Sequence, residues 1–140
     1  MTGTQGTHVH TADHASAPLS DDFAARLTAL TGFLPGTQAG MGYEMVLNGI
    51  RIMATATKDR QQIATLLTLT AGESHGQDDL VGLIADLVLH LTDADTTPAL
   101  NELPADIRDD VRARGKQWAG HDINFAPRDL IAETAHAIQP

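Results

Sequence analysis

The chain contains no cysteine and few aromatic residues, and both shortages restrict what it can do. Without cysteine, disulfide frameworks, thiol catalysis and cysteine-based zinc sites are excluded. Aromatic residues make up 4% of the chain, with one tryptophan, Trp118, and one tyrosine, Tyr43. The core must therefore be built mainly from aliphatic residues, methionine and alanine. Leucine, methionine and alanine lose little side-chain entropy in a helix, so this composition favours a helical protein.

Basic residues and long apolar runs are also scarce. Nine lysines and arginines stand against 18 aspartates and glutamates, which gives a net charge of −9. Contact with a nucleic-acid backbone depends on basic side chains that neutralise phosphates, so nucleic acid is disfavoured as a partner. No apolar run approaches the ~18–20 residues of a membrane-spanning helix, and the first residues lack a secretory signal pattern. We therefore expect a cytoplasmic protein whose acidic surface favours solubility or docking onto a basic protein.

The 140 residues predict a tail followed by one mainly α domain. Residues 1–18 are rich in threonine, glycine, histidine and alanine, and they bury too little surface to offset the entropy of ordering, so we expect a disordered N-terminal tail. Residues 19–140 predict a compact single-domain bundle of five or six helices joined by short loops, with no internal repeat. Capping signals support this division, because Ser20 precedes two aspartates and Ser74 with Gln77 matches a capping box.

The strongest helical pattern runs from Asp79 to Leu91. Its apolar residues return to one side of a helix, and they are Leu80, Val81, Leu83, Ile84, Leu87, Val88 and Leu91. Its opposite side and flanks carry Asp79, Gly82, Asp86, His90 and Asp93. Either the same chain or a partner must cover the apolar side, and we expect neighbouring helices of the chain to do so. The complete predicted core is Phe23, Leu27, Leu30, Val46, Leu47, Ile50, Ile63, Leu66, Leu67, Leu80, Leu83, Ile84, Leu87, Leu91, Ile107, Val111, Leu130, Ile131 and Ile138.

Residues 41–57 fit two structures almost equally well. In a helix, Tyr43, Val46 and Ile50 would share one face. In a β-hairpin, Asn48 and Gly49 would form the favoured type I′ turn. The dipeptide costs a helix roughly 1–1.5 kcal/mol relative to alanines, whereas an isolated two-stranded ribbon is only marginally stable. A hairpin at this dipeptide therefore stays open as an alternative within a mainly α fold.

The dipeptide His121-Asp122 is the strongest candidate for metal binding. It resembles the adjacent histidine and aspartate ligands of HD-type metal-dependent phosphohydrolases, which are all-helical, and His90 stands upstream as a further histidine. The resemblance is confined to the dipeptide and that spacing, since the distant final aspartate of the family has no counterpart here. We therefore assign no family, and keep a small metal-dependent hydrolase using these three residues as an alternative function.

The remaining candidate residues for contact with a partner lie on the predicted helix after Pro104. Arg108 and Arg112 are one helical turn apart, and Trp118 follows near the end of the helix. The favoured prediction is a non-enzymatic acidic protein that binds or regulates a protein partner, as immunity, inhibitor and accessory proteins do, with self-association as one version. No cofactor is predicted. A nucleic-acid-associated regulatory factor using this basic helix is a further alternative.

Overall fold

A computed structural model describes residues 18–72, 79–123 and 128–140, apart from the side chain of Asp122. The described residues form six α-helices and no strand, which confirms the predicted mainly α fold. The helices are α1 (Asp21–Ala29), α2 (Gln38–Thr55), α3 (Arg60–Leu67), α4 (Leu80–Leu91), α5 (Ala105–Gln117) and α6 (Arg128–Ile138). Five-residue π-helical turns follow α3 and α5, at Thr68–Gly72 and Trp118–Asp122, and a 3₁₀ turn occupies Pro98–Glu102. The predicted tail, Pro18 excepted, and the predicted capping box lie outside the described residues.

The contacts divide the chain into two compact units, residues 1–59 and 60–140, and the first contains α1 and α2. The predicted cap of α1 is confirmed, because the Ser20 hydroxyl accepts a hydrogen bond from the Phe23 amide at 3.2 Å. The connection between the helices is tied to α2 by the Glu44 carboxylate, which accepts a 2.8 Å hydrogen bond from the Gly32 amide. Gly32 has φ of +82°, a conformation that glycine adopts without steric cost.

The alternative of a β-hairpin at Asn48 and Gly49 is wrong, because α2 runs through both residues without interruption. A type I′ turn requires positive φ at both central positions. Gly32 and Gly36 are the glycines with positive φ in the described part of the chain, and Gly49 is not among them. A Cβ atom at Gly49 would meet nothing within 4 Å, so the glycine fits an ordinary helical position.

The second unit contains the same order of elements twice, and the two π-helical turns begin 50 residues apart. A helix, a five-residue π-helical turn and a second helix occur first as α3 and α4, then as α5 and α6. The two π-helical turns begin at Thr68 and Trp118. The second helices correspond in burial as well: Ala85 of α4 and Ala135 of α6 are both buried. No repeat was predicted, because identical residues at this spacing are few.

The two halves of this repeat are packed crosswise. Each second helix packs on the first helix of the other half, so that α6 contacts α3 and α4 contacts α5. Glycines permit close approach at both crossings. A Cβ atom at Gly115 of α5 would overlap the Thr92 hydroxyl at the end of α4, and one at Gly72 would lie 3.4 Å from Ile131 Cγ2 of α6. The positions of the small residues therefore decide which side of α4 and of α6 packs within the chain and which side is exposed.

The predicted core is only partly correct. Leu27 and Leu47 are buried, and eight other predicted members are half-buried: Ile50, Ile63, Leu66, Leu67, Leu80, Val111, Ile131 and Ile138. The remaining members are exposed: Phe23, Leu30, Val46, Leu83, Ile84, Leu87, Leu91, Ile107 and Leu130. In α4 the packed side carries Gly82 and Ala85, whereas four of the large aliphatic residues face outward. The expectation that neighbouring helices cover the leucines of α4 is therefore wrong, because α4 packs through its small residues instead.

Candidate interaction surface

A buried ion pair fixes the start of α4. The Arg128 Nε donates to Asp79 Oδ2 at 2.7 Å, and Nη2 donates to Oδ1 at 3.3 Å. The side chains of Asp79 and Arg128 are 0% and 6% exposed. Asp79 also caps α4, since its Oδ1 accepts a 2.8 Å hydrogen bond from the Gly82 amide. A carboxylate at a helix N-terminus is favourable, whereas Arg128 stands at the positive end of α6 and needs the opposing charge.

The loop that follows α4 caps the C-terminal end of this helix. Thr96 and Thr97 donate their hydroxyl hydrogens to the backbone carbonyl of His90, at 2.8 and 2.6 Å. The Thr92 hydroxyl donates to the carbonyl of Val88 at 2.8 Å. These bonds satisfy carbonyl groups that a helix end otherwise leaves without partners. Since both ends are fixed, the orientation of α4 about its own axis is also fixed.

The side of α4 that faces outward carries a row of aliphatic side chains. Leu83, Ile84, Leu87 and Leu91 are exposed by 62%, 42%, 54% and 52%, and we call these four residues the α4 outer face. Their offsets of one, four and eight residues place them within about a quarter of the helix circumference. Because Val81, Val88 and Leu89 on other sides are also apolar, α4 is hydrophobic over most of its circumference, and Asp86 and His90 are its polar residues. A helix of this kind is normally buried.

The cost of this exposure is large for a small protein. Burying a leucine or isoleucine side chain completely stabilises a structure by roughly 1.5–3 kcal/mol. Four side chains that are about half exposed therefore leave roughly 3–6 kcal/mol unrealised. The net stability of a whole domain is about 5–15 kcal/mol. An exposed apolar patch of this kind is a candidate site for contact with another molecule.

The α6 helix shows that the fold does not require this surface. At the 50-residue spacing, Leu83, Ile84 and Leu87 of α4 correspond to Glu133, Thr134 and Ala137 of α6. All six positions are exposed. At these three positions α6 carries charged, polar and small residues where α4 carries leucine and isoleucine, whereas Leu130, the counterpart of Leu80, is 58% exposed on α6. A helix in this place of the fold therefore does not depend on large aliphatic side chains at these three positions.

The predicted partner-binding residues on and after α5 differ in their contacts and in their exposure. Arg112 Nη2 lies 3.6 Å from Asp93 Oδ2, so this arginine links α5 to the loop after α4. Arg108 is half-buried, and Trp118 is 37% exposed at the first position of the second π-helical turn. Their role in partner binding stays a prediction.

The predicted metal ligands are only partly within the described residues. His90 is exposed on α4 beside the outer face, and His121 is exposed in the second π-helical turn. The side chain of Asp122 lies outside the described residues, so a site formed by all three stays a prediction. Among the side chains that are described, no three of histidine, cysteine, aspartate and glutamate are grouped so that they could hold a metal ion.

The first unit contains an open groove of about 940 Å³ beside α1. Its lining includes the buried Leu27 and Leu47 together with the exposed Phe23 and Leu30. Charged residues of both signs, Asp22 and Arg26 among them, also contribute to the lining. This groove is less uniformly apolar than the α4 outer face.

Comparison with known proteins adds no further assignment. No protein-family model, no curated protein and no solved structure matches this chain. None of the helices in the described ranges is both long and apolar enough to cross a membrane. Sequence reasoning missed the ion pair between Asp79 and Arg128, which are 49 residues apart. One signal was present, because an aspartate directly before an apolar run is a common N-cap.

Proposed function

We propose that this chain is a non-enzymatic helical binding protein that acts through contact with a protein partner, as an accessory or inhibitory protein does. The observation that carries the proposal is the exposure of Leu83, Ile84, Leu87 and Leu91 on one side of a helix that is fixed at both ends. A rigid row of aliphatic side chains is suited to binding an apolar helix or groove of another protein. Contact with such a partner recovers the free energy that exposure forfeits.

The composition of the surface supports a protein partner over nucleic acid. The net charge of −9 opposes contact with phosphates. Within α4, Asp86 is the one residue charged at neutral pH, apart from any charge on His90. Centres of protein–protein interfaces are depleted in charged residues in the same way. An apolar contact region with an acidic surround therefore describes the binding face best.

The proposal can be tested with a photo-reactive amino acid at position 87. Leu87 is exposed in the centre of the α4 outer face, so a benzophenone side chain there should form an adduct with whatever protein covers it. The chain is produced in its own cells, irradiated, purified and analysed by mass spectrometry. We expect one discrete protein adduct in high yield.

The matched control places the same amino acid at position 137. Ala137 is exposed at the corresponding position of α6, where the surrounding side chains are polar. We expect no adduct from position 137 under identical irradiation. Equal yields from the two positions, or no adduct from position 87, would contradict the proposal, provided circular dichroism shows that both variants keep their helical content.

A further inference from the structure

We infer that the partner of the α4 outer face is a second copy of this chain, which packs its own α4 against the first across a two-fold axis near Leu87. The inference rests on the proposed function and names its partner. Closed two-fold dimers are the commonest oligomers, and they need one surface that fits itself. The α4 outer face is suited to such a contact because of the spacing of its apolar residues, its low charge and its size.

The spacing of the exposed residues is suited to pairing of identical helices. Ile84, Leu87 and Leu91 are separated by three and four residues, and the half-buried Leu80 precedes them by four. This alternation of three and four is the spacing at which two helices interlock their side chains along a shared seam. Leu83 and Leu91 also lie at equal distances on either side of Leu87. In an antiparallel pair centred on Leu87, Leu83 of one copy would therefore lie opposite Leu91 of the other.

The charge of the surface favours a copy over a basic partner. A basic protein that recognised this chain through its net charge of −9 would need acidic groups within the contact. The 12 residues of α4 contain a single carboxylate, Asp86, so the attraction is missing from this face. The nearly uncharged outer face of one copy can pack against the same face of another copy without burying an unpaired charge. Since another copy is present wherever the chain is made, it can cover the leucines once the concentration of the chain reaches the dissociation constant.

The size of the surface limits the affinity. Four half-exposed aliphatic side chains supply about half of the roughly 800 Å² per partner that a standard interface buries. Residues that flank α4 must supply the remainder. We therefore expect a reversible dimer with a dissociation constant on the order of 10 μM.

Sedimentation equilibrium provides the first test. Between about 1 and about 200 μM the mass should rise from one copy to two, with a midpoint on the order of 10 μM. Raising the salt concentration from about 0.05 to about 0.5 M should tighten the dimer, because salt screens the repulsion between two acidic chains. A single copy at the highest concentration would overturn the inference. Weakening of the dimer by salt would also contradict it, since an apolar contact does not depend on opposite charges.

Engineered cysteines locate the contact, and the natural chain contains none that could interfere. Under a mild oxidant, Leu87→Cys should form a disulfide between two copies in high yield. The matched variant Ala137→Cys, at the corresponding position of α6, should remain a single chain. Equal crosslinking of the two variants would show that the contact does not lie on α4.

A triple substitution gives α4 the outward residues of α6. The variant Leu83→Glu, Ile84→Thr and Leu87→Ala should raise the dissociation constant by at least about 100-fold, because it removes the centre of the contact. Its circular dichroism spectrum should match that of the natural chain. An unchanged dissociation constant would exclude α4 as the seam.

Photo-crosslinking at position 87 separates failure of this inference from failure of the proposed function. An adduct of two copies of this chain supports both. An adduct with a different protein overturns the second copy as the partner and leaves the proposed function standing. No adduct at all counts against both.

Discussion

The helices α4 and α6 occupy corresponding places in a repeated pattern, and they differ in the side that faces outward. Both bury an alanine, Ala85 in one and Ala135 in the other, against the first helix or π-helical turn of the opposite half. On the opposite side, α6 exposes Glu133 and Thr134, as an ordinary surface helix does. At the same positions α4 exposes Leu83 and Ile84.

This difference distinguishes outward-facing side chains that the fold requires from those that it does not require. If the architecture needed aliphatic side chains at these outward positions, α6 would carry them too. Since α6 folds with polar and small residues there, the leucines of α4 are the residues that we propose to contact another molecule. The α6 helix thus serves as a control, within the same chain, for the exposed residues of α4.

The largest effect should come from breaking the ion pair that joins the starts of the two helices. Arg128→Met removes the guanidinium that pairs with the buried carboxylate of Asp79, and loss of one member of a buried pair costs about 3–5 kcal/mol. We expect the free energy of unfolding in urea to fall by that amount. Because a dimer makes unfolding depend on concentration, all variants should be compared at one protein concentration.

The control for this variant is Arg114→Met. The Arg114 Nε lies 2.8 Å from Asp110 Oδ2, a distance similar to that in the buried pair, but these side chains are 79% and 58% exposed. Exposed pairs one turn apart on a helix contribute about 0.3–0.5 kcal/mol. Equal losses of stability in the two variants would mean that burial does not distinguish the two ion pairs. The pair of Asp79 and Arg128 could then not be the contact that fixes the starts of α4 and α6.

An intermediate effect should come from the glycines at the two crossings. A methyl group at Gly115 would lie 2.7 Å from Thr92 Cβ, so Gly115→Ala must push α4 and α5 apart. We expect a net loss of about 1–2 kcal/mol, after allowing for the ~1 kcal/mol that alanine gains over glycine in a helix. At Gly72 the nearest atoms lie at 3.3 Å or beyond, so Gly72→Ala should change stability by less than about 1 kcal/mol. Urea unfolding of both variants measures the difference, and the reverse order would contradict the described packing.

Sequence reasoning predicted the helices well because their signals are local. Ser20 caps α1 and a helix begins after Pro104, each as the sequence indicates. The row of apolar residues in α4 was also recognised. Whether α2 is a helix or a hairpin was left open, since the Asn48-Gly49 dipeptide satisfies a local preference that packing can override.

The orientation of α4 could not be predicted in the same way. Periodicity identifies an apolar side, but in a helix that is apolar over most of its circumference it does not say which side packs within the chain. Gly82 and Ala85 decide this, because small side chains permit the closest approach to neighbouring helices. The pairing of Asp79 with Arg128 also has no local signal, since the two residues meet only after the crosswise packing has formed. The candidate surface therefore became visible only in three dimensions.

The smallest effect on stability should come from giving α6 the outward residues of α4. The variant Glu133→Leu, Thr134→Ile and Ala137→Leu changes exposed positions, so the free energy of unfolding should change by less than about 0.5 kcal/mol at each position. Each copy would then carry two apolar faces, and a molecule with two self-complementary faces joins others at both. Light scattering should show masses above two copies, whereas the natural chain stops at two. A variant that stops at the mass of the natural chain would mean that exposed leucines on this framework do not suffice for association, and the outward residues of α4 would need another explanation.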